Sequence, residues 1–521
     1  MGAWIALAPM MAQTGYKRVH NKMLDDAKVL LAEEHYLEAA RIYRRLEPMD
    51  TAFTEVSYEL AQCALHIPGG TPEATKLLER CVRQGHVEAM YDLGLLRHQQ
   101  LRSGEAIELF GKYRTSMGRL HGDAEIDRRI AAARTAREMI AHPVDAGIRN
   151  LGDLVNSPAH DYCPLVTADG NTMYFTSRRD GSTGSQRDPS GRMYEDIYMV
   201  RRMDGIWSNA VNVGLPLNSA VHDATVGLGP DGMSMIIYRT SPDMVSGDLH
   251  ESRRNGTLWQ NPVRMTDRIN SGAHEPSASI SPSGSEIFFT SDRPGGFGGR
   301  DIYRIRRLPN GEWSLPLNLG PTVNTADDED APFMHSDGLT LFFSSKGHAT
   351  MGGYDIFKTV NTDPDRNAWS EPENMGYPLN TVNDDIYFCL SEDGRTGYFS
   401  SERTGGLGGQ DIYTVEFPST RLEYVVVRGL VTDAGDEPVK ARITLTDAEG
   451  AEIVGVYNAN ERTGRYLMVL RPASRYRMVV EARGFDSRVS DLATGPADED
   501  GRELTLDIQL TRNENTARIT K

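Results

Sequence analysis

Five acidic side chains recur at a fixed distance from an asparagine, and carboxylates are groups that bind cations, attract basic peptides and transfer protons. Each acid lies five residues after its asparagine; the acids are Asp161, Asp223, Glu275, Glu329 and Asp385. The asparagines are Asn156, Asn218, Asn270, Asn324 and Asn380, which lie 62, 52, 54 and 56 residues apart. If the repeated units close into a ring, the acids form a ring too, near one end of its channel.

This acidic ring has two interpretations. In the first, it binds a cation or a basic peptide. In the second, each carboxylate accepts hydrogen bonds from a neighbouring repeat and holds the ring together. We favour the second, because a repeated position usually serves a repeated structural task, whereas an active site usually breaks the repeat. The residue before each acid is less constant: it is His160, His222, His274, Asp328 or Asp384.

Other signatures of chemistry are few. The sequence contains no GxSxG, HExxH or Walker motif. Its glycine-rich stretches at 295–299 and 405–409 precede strands rather than helices, which argues against phosphate binding. The 4 cysteines form no CxxC pair. We therefore expect no catalytic residue, no cofactor and no metal ligand. The sequence leaves open whether Ca²⁺ binds at 327–330 and whether Cys63 pairs with Cys81.

Each repeat has the pattern of a four-stranded antiparallel sheet. An Asp-Gly turn, replaced in the third repeat by Ser283-Gly284, precedes an aromatic strand, and a second strand opening with Asp-Ile-Tyr or a similar triplet follows. Four repeats then have a tryptophan: Trp207, Trp259, Trp313 and Trp369. The fifth lacks one, but segment 148–152 matches the missing outer strand. We predict a five-bladed β-propeller over residues 145–417, closed by its first and last strands; six blades are the alternative if one repeat is degenerate.

Residues 16–142 show helical periodicity. Small residues and aromatics alternate so that helix hairpins stack closely, and segments 36–40 and 104–107 stand where the tetratricopeptide repeat (TPR) has its second helix. The segment resembles that repeat, and an ordinary helical bundle is the alternative. Stacked hairpins of this kind leave a concave groove suited to a peptide or a helix.

The two ends of the chain have their own signatures. Residues 1–13 are apolar and end in small residues, which resembles the remnant of a signal peptide and favours export. Residues 422–512 alternate as short strands, and the tail 513–521 is polar. The net charge of -17 comes without a basic stripe, so we expect no nucleic-acid partner. No later apolar run reaches about 20 residues, so we expect no transmembrane segment.

Three family resemblances follow from these motifs. The five central repeats resemble WD40-like PD40 repeats, related to the TolB propeller. Residues 464–466 and 483–485 resemble the carboxypeptidase regulatory-like domain, a transthyretin-like β-sandwich without catalytic implication. The order of the three parts resembles a group of Bacteroidota envelope proteins, OmpA-family and PorE-like, associated with type IX secretion, although this chain has no C-terminal OmpA-like domain.

The resemblance implies a protein of the periplasm associated with the outer membrane. Its implied partners are envelope proteins, either outer-membrane or secretion-complex components, with peptidoglycan reached only indirectly. The fold class is then multidomain, α plus all-β. We expect a non-enzymatic scaffold. One alternative is a glycan- or peptide-binding receptor that uses the propeller mouth. The other is a propeller-type hydrolase, which would require an asymmetric carboxylate cluster in the channel.

Overall fold

The computed structural model describes residues 18–49, 54–67, 69–188, 191–241, 244, 246–363, 366–391, 394–417, 425–447, 453–470, 472–495 and 503–513. The chain divides into two compact units, Met1–Ala141 and His142–Lys521. The first contains helices and the second contains mostly antiparallel sheets, so the architecture is α plus β. The signal segment predicted at 1–13 and the tail 514–521 lie outside the described residues.

The described residues of the first unit form seven α-helices. They are α1 (Arg18–Ala32), α2 (Tyr36–Leu46), α3 (Thr54–Leu65), α4 (Thr71–Arg83), α5 (Val87–Gln99), α6 (Ser103–Thr115) and α7 (Asp123–Ala141), with a short 3₁₀ helix at Glu47–Met49. Each helix packs against the next in the chain. Tyr43, Leu78 and Phe110 are fully buried between them. A Cβ atom at Gly94 would lie 2.7 Å from the ring of Phe110, so the close approach of α5 to α6 requires glycine there.

A short strand and five groups of strands begin the second unit. The short strand is β1 (Gly147–Asn150). Sheet 1 contains β2 (Asp161–Val166), β3 (Thr172–Ser177), β4 (Asp196–Met203), β5 (Ile206–Trp207) and β6 (Val211–Asn212). Sheet 2 contains β7 (Asp223–Leu228), β8 (Ser234–Thr240), β9 (Gly247–Asn255), β10 (Leu258–Trp259) and β11 (Val263–Arg264).

The remaining three groups repeat this order. Sheet 3 contains β12 (Ala278–Ile280), β13 (Glu286–Ser291), β14 (Asp301–Arg306) and β15 (Leu317–Asn318). Sheet 4 contains β16 (Glu329–Met334), β17 (Thr340–Ser345), β18 (Asp355–Asp363), β19 (Ala368–Trp369) and β20 (Glu373–Asn374). Sheet 5 contains β21 (Asp385–Leu390), β22 (Thr396–Ser401) and β23 (Asp411–Glu416).

The five sheets lie in a closed circuit. Their first strands contact one another in the order β2, β7, β12, β16, β21, and β21 contacts β2. The strand β1 completes sheet 5 by pairing with β23, with Ile148 opposite Val415. The first residues of segment 148–152 therefore form the outer strand of the last sheet, as the sequence predicts. This pairing covers an edge that β23 would otherwise expose.

Aromatic side chains fill the spaces between neighbouring sheets. Trp369 of sheet 4 meets Phe288 of sheet 3 edge to face, with ring centroids 6.1 Å apart. Trp259 of sheet 2 meets Tyr174 of sheet 1 in the same way, at 5.9 Å. Between sheets 4 and 5, where the fifth repeat has no tryptophan, the rings of Phe342 and Phe388 lie 4.9 Å apart. Each tryptophan of these pairs therefore packs against the preceding sheet.

Two further sheets close the chain. Their strands are β24 (Val425–Asp433), β25 (Arg442–Asp447), β26 (Ile453–Asn458), β27 (Arg465–Leu470), β28 (Arg475–Glu481), β29 (Arg488–Ala493), β30 (Glu503–Thr505) and β31 (Ile508–Leu510). One sheet joins β24 to β27, β30 and β31, and the other has the order β26-β25-β28-β29. Val427, Ile443 and Met478 lie in the core that these sheets share.

The last two sheets touch the ring at one end. Asn460 Nδ2 donates to Asp231 Oδ2 at 3.0 Å. Asp231 lies in the turn between β7 and β8, whereas the acid Asp223 begins β7. The contact is therefore at the end of the ring opposite to the acids.

The structure shows whether Cys63 pairs with Cys81 and whether a described helix could span a membrane. All four cysteines lie in the described part of the chain, where each is buried and free, so Cys63 and Cys81 are separate thiols. Burial raises the pKa of each of these two thiols to about 11. Among the helices that the structure describes, none is both long and apolar enough to span a membrane.

Candidate binding site at one mouth of the sheet ring

The five repeated acids are buried structural acceptors. Each is at most 1% exposed. The carboxylate accepts hydrogen bonds from the backbone N–H and the hydroxyl of the serine or threonine four residues earlier. In the first repeat, Ser157 donates from N at 2.6 Å and from Oγ at 2.7 Å to Oδ2 of Asp161. The segment that leads into each first strand is therefore fixed by an acid at the start of that strand or, in sheet 3, just before it.

An arginine completes four of these five arrangements. The arginines lie 2.5 to 3.1 Å from their carboxylates in the pairs Arg179–Asp161, Arg239–Asp223, Arg293–Glu275 and Arg403–Asp385. Each arginine also donates to the carbonyl of the residue before the repeated asparagine, as Arg403 does to Leu379 at 2.7 Å. The positive charge offsets the cost of burying the carboxylate, and the second bond holds the same segment.

The fourth repeat departs from this pattern. Gly347 stands where repeats 1, 3 and 5 have arginine, and a Cβ atom there would lie 1.8 Å from Thr325 Oγ1. His348 Nε2 takes over the contact with a carbonyl, lying 2.9 Å from Val323 O. Glu329 keeps bonds from Thr325 and Ser345. Burial raises the pKa of Glu329 to about 7, and the hydrogen bonds from Thr325 and Ser345 offset this rise only in part.

The repeated asparagines, rather than the acids, join neighbouring sheets. Asn218 Oδ1 accepts from the backbone N–H of Ile197 at 2.8 Å, and its Nδ2 donates to the carbonyl of Ile197 at 3.0 Å. The other four asparagines bind a residue of the preceding sheet in the same two-point manner; the residues bound are Ile412, Leu249, Ile302 and Ile356. The five asparagines thus pair otherwise unsatisfied backbone groups between sheets.

The residues before the acids add a second link between sheets. Nδ1 of His160 accepts from the backbone N–H of Gln410 at 3.3 Å, and Nδ1 of His222 accepts from that of Glu195 at 3.1 Å. A carboxylate can replace the imidazole, since Asp384 Oδ1 accepts from the backbone N–H of Tyr354 at 2.8 Å. His274 differs, and its own backbone N–H donates to Asp292.

Side chains that differ from sheet to sheet surround the mouth of the channel at this same end. A cavity of about 270 Å³ opens there. Sheets 1 and 5 supply its lining: His160, Tyr162, Arg178, Arg192 and Glu195 come from the first, and Tyr387, Glu402 and Gln410 from the last. The rings of Tyr162 and Tyr387 stack, with centroids 5.7 Å apart and planes 29° apart.

Charged groups of both signs are paired around this cavity. Arg178 Nη2 lies 2.9 Å from Asp188, and its Nε lies 4.0 Å from Glu195. Glu195 also lies 3.2 Å from Nδ1 of His222. Burial alone would raise the pKa of Glu195, but His222 and Arg178 outweigh it and lower that pKa. Burial, and next the charge of Arg178, lower the pKa of His160, which favours the neutral imidazole.

A second polar group lies on sheets 3 and 4 at the same end. Arg300 lies 3.2 Å from Asp330 and donates to the hydroxyl of Tyr354 at 2.6 Å. Asp330 accepts from Ser277 Oγ at 2.5 Å. Within segment 327–330, Asp328, Glu329 and Asp330 thus contact protein cations or hydroxyls. Across the described ranges, no group of three or more His, Cys, Asp or Glu side chains is placed to hold a metal ion.

The sequence contained a pattern that could have indicated the residues at the mouth, but the repeated acids were the more conspicuous feature. Several of the candidate residues stand beside the repeated positions, as Tyr162 follows Asp161 and Glu402 follows Ser401. They vary between repeats, whereas the asparagine is constant and the acid is always Asp or Glu. Positions that break a repeat beside positions that keep it are the pattern expected of a site built on a repeated scaffold.

Comparisons with known proteins give fold-level similarities only. No family model matches the chain, and no curated protein matches it. Three solved structures are similar to it at low TM-scores. TolB from Acinetobacter baumannii is 15% identical, with 57% of this chain and 71% of that chain covered and a TM-score of 0.31. An alpha-L-arabinofuranosidase from Lactobacillus brevis is 13% identical, with 51% and 91% covered and a TM-score of 0.34. A glycosyl hydrolase from Bacteroides ovatus is 11% identical, with 51% and 86% covered and a TM-score of 0.33.

Proposed function

We propose that the chain is a non-enzymatic binding protein of the cell envelope that holds its partner at the mouth of the sheet ring. In this proposal the ring is a five-bladed propeller of the PD40 type. The helices form a TPR-like array, and the last two sheets form a regulatory-like sandwich. The protein works in the periplasm at the outer membrane, next to outer-membrane or secretion-complex components.

One observation carries the proposal: polar side chains that differ between sheets gather at one mouth of the ring. The repeated asparagines, acids and arginines are buried and engaged in bonds within the ring. The side chains beside them, such as Tyr387 and Gln410, are not repeated and line a cavity. A rigid ring that presents a varied, partly exposed polar surface supports binding.

The position of the last two sheets also supports a binding site at the end of the ring where the acids lie. They touch the ring through Asn460 and Asp231, at the end opposite to the acids. The mouth beside the acids faces away from this contact. A partner that docks at the mouth therefore does not compete with the sandwich for the same end of the ring.

A crosslinked pull-down from intact cell envelopes tests the proposal. We expect the tagged wild-type chain to recover outer-membrane or secretion-complex proteins. Glu402 is exposed at the mouth and Glu416 is exposed at the far end of β23 in the same sheet, so they form a matched pair. We expect E402K to reduce recovery roughly ten-fold through one reversed charge at the site, and E416K to leave it unchanged.

Two results would count against the proposal. Recovery of the bait alone would favour a chain without stable envelope partners. Equal recovery by wild type, E402K and E416K would place the partner elsewhere on the molecule. Thermal unfolding of the three chains distinguishes a lost contact from a lost fold.

A further inference from the structure

We infer that the mouth cavity binds an uncharged saccharide, one or two sugar rings in size. This inference rests on the binding function proposed above and specifies its ligand. The cavity of about 270 Å³ is slightly smaller than the pockets of drug-sized ligands, which begin at about 300 Å³, so it suits a small ligand.

The charges around the cavity favour an uncharged ligand. Arg178 is paired with Asp188 at 2.9 Å and with Glu195 at 4.0 Å. Each ion pair places both signs at the same wall, so an ionic ligand would meet attraction and repulsion together. A sugar hydroxyl both donates and accepts hydrogen bonds, and it is therefore suited to carboxylate and guanidinium groups that stand side by side.

The planar side chains favour a ligand with a flat face and adjacent hydroxyls. Glu402 and Gln410 each end in a planar group with two polar atoms, which can bind two neighbouring hydroxyls at once. The stacked rings of Tyr162 and Tyr387 supply an aromatic surface at the cavity. The C–H groups of a sugar ring can rest on such a surface through weak contacts with the ring electrons.

The lining argues against a peptide as the occupant. Among the eight described side chains that line the cavity, none is aliphatic. Peptide recognition generally places apolar side chains in pockets, and affinity depends on their burial. This cavity has hydrogen-bonding groups where such pockets would lie.

Calorimetric titration of the full chain tests the inference. The probes are cellotriose, maltotriose and the trimer of N-acetylglucosamine, with trigalacturonate and trilysine as charged comparisons. The double variant E402Q/Q410A removes the negative charge of Glu402 and the side-chain amide of Gln410. The backbone of Gln410 keeps its bonds to His160 and Asp161. The matched control is E416Q, which lies at the far end of β23.

We expect at least one uncharged trimer to bind, and E402Q/Q410A to raise its Kd about ten-fold or more. E416Q should leave the Kd unchanged. Binding of trigalacturonate or trilysine alone would overturn the uncharged class. Saccharide binding that the double variant does not weaken would overturn the site, and no binding by any uncharged trimer would overturn the inference. If the envelope pull-down still depends on Glu402 in that case, the proposed binding function stands without a saccharide ligand.

Discussion

Glu329 shows how one residue changes the electrostatics of a repeated site. Within the described part of the chain, it is the one repeated acid without an arginine at ion-pair distance, whereas Glu275 lies 3.1 Å from Arg293. Both side chains are glutamates and both are buried. Burial without a compensating cation favours the protonated carboxyl, so the pKa of Glu329 rises to about 7.

The raised pKa of Glu329 predicts a pH-dependent stability. Because the folded pKa of about 7 lies above the ordinary value of 4.5, the contribution is fully present below about pH 4.5 and is lost as the pH rises through 7. We expect E329Q, which resembles the protonated acid, to increase the free energy of unfolding at pH 8 by up to about 3 kcal/mol. Denaturant unfolding at pH 5 and pH 8 measures this difference.

The matched variant for this prediction is E275Q. It leaves Arg293 without its carboxylate, so we expect destabilisation at both pH values by about 3 kcal/mol. A loss of stability in E329Q at pH 8 that equals the loss in E275Q would contradict the raised pKa of Glu329.

At the scale of the elements, the strand β1 decides whether the ring closes. It pairs with β23 across the chain, with Ile148 opposite Val415 and Gly147 opposite Glu416. Without β1, sheet 5 would have three strands and an unpaired outer edge. The two ends of the ring segment are thereby held in one sheet, and this arrangement resists opening from either end.

Residues of β1 and β23 lie directly opposite one another, so an engineered pair of cysteines should form a disulfide between the two strands. We expect the double variant I148C/V415C to oxidise to a crosslinked chain, because directly opposed residues in antiparallel strands have Cβ atoms about 4.5–5.5 Å apart. Closing so long a loop should stabilise the sheet unit by about 4 kcal/mol. Non-reducing electrophoresis and thermal unfolding measure both effects.

The register supplies the control for this crosslink. Arg149 lies opposite Thr414, so a cysteine at 149 points to the other face of the sheet from one at 415. R149C/V415C should therefore remain uncrosslinked under the same oxidation. Equal crosslinking of both pairs would mean that the strand register differs.

At the scale of the whole molecule, two units carry separate cores. Leu78 and Tyr43 belong to a core made of helices, whereas Phe343 and Trp369 belong to one made of sheets. Separate cores allow separate cooperative unfolding, since each unit buries its own apolar surface.

Calorimetry should resolve at least two unfolding transitions. L78A creates a cavity in the helical core, so we expect it to lower the transition of the helical unit by about 10 °C and to leave the other transition in place. E329Q should shift only the transition of the sheet unit at pH 8. A single transition that both variants move together would contradict independent cores.

The sequence by itself determined the periodic parts of this protein. Repetition of the asparagine, the acid and the aromatic strand predicted sheets that recur in order, and the match of segment 148–152 predicted the partner of β23. These features are visible because each strand pairs mainly with its neighbours in the chain. The helical period of residues 16–142 likewise follows from local spacing, which indicates helices but not their arrangement.

The tertiary structure decided which polar groups are engaged in bonds within the ring and which remain accessible to a ligand. Asp161 and Tyr162 are adjacent in the sequence, yet the acid is buried under Arg179 and the tyrosine lines a cavity with Tyr387, more than 200 residues away. Alternation along a strand sends neighbouring side chains to different surroundings, and only ring closure brings sheets 1 and 5 together. The distinction between structural acids and a candidate site therefore depends on contacts between distant segments, which one sequence does not encode locally.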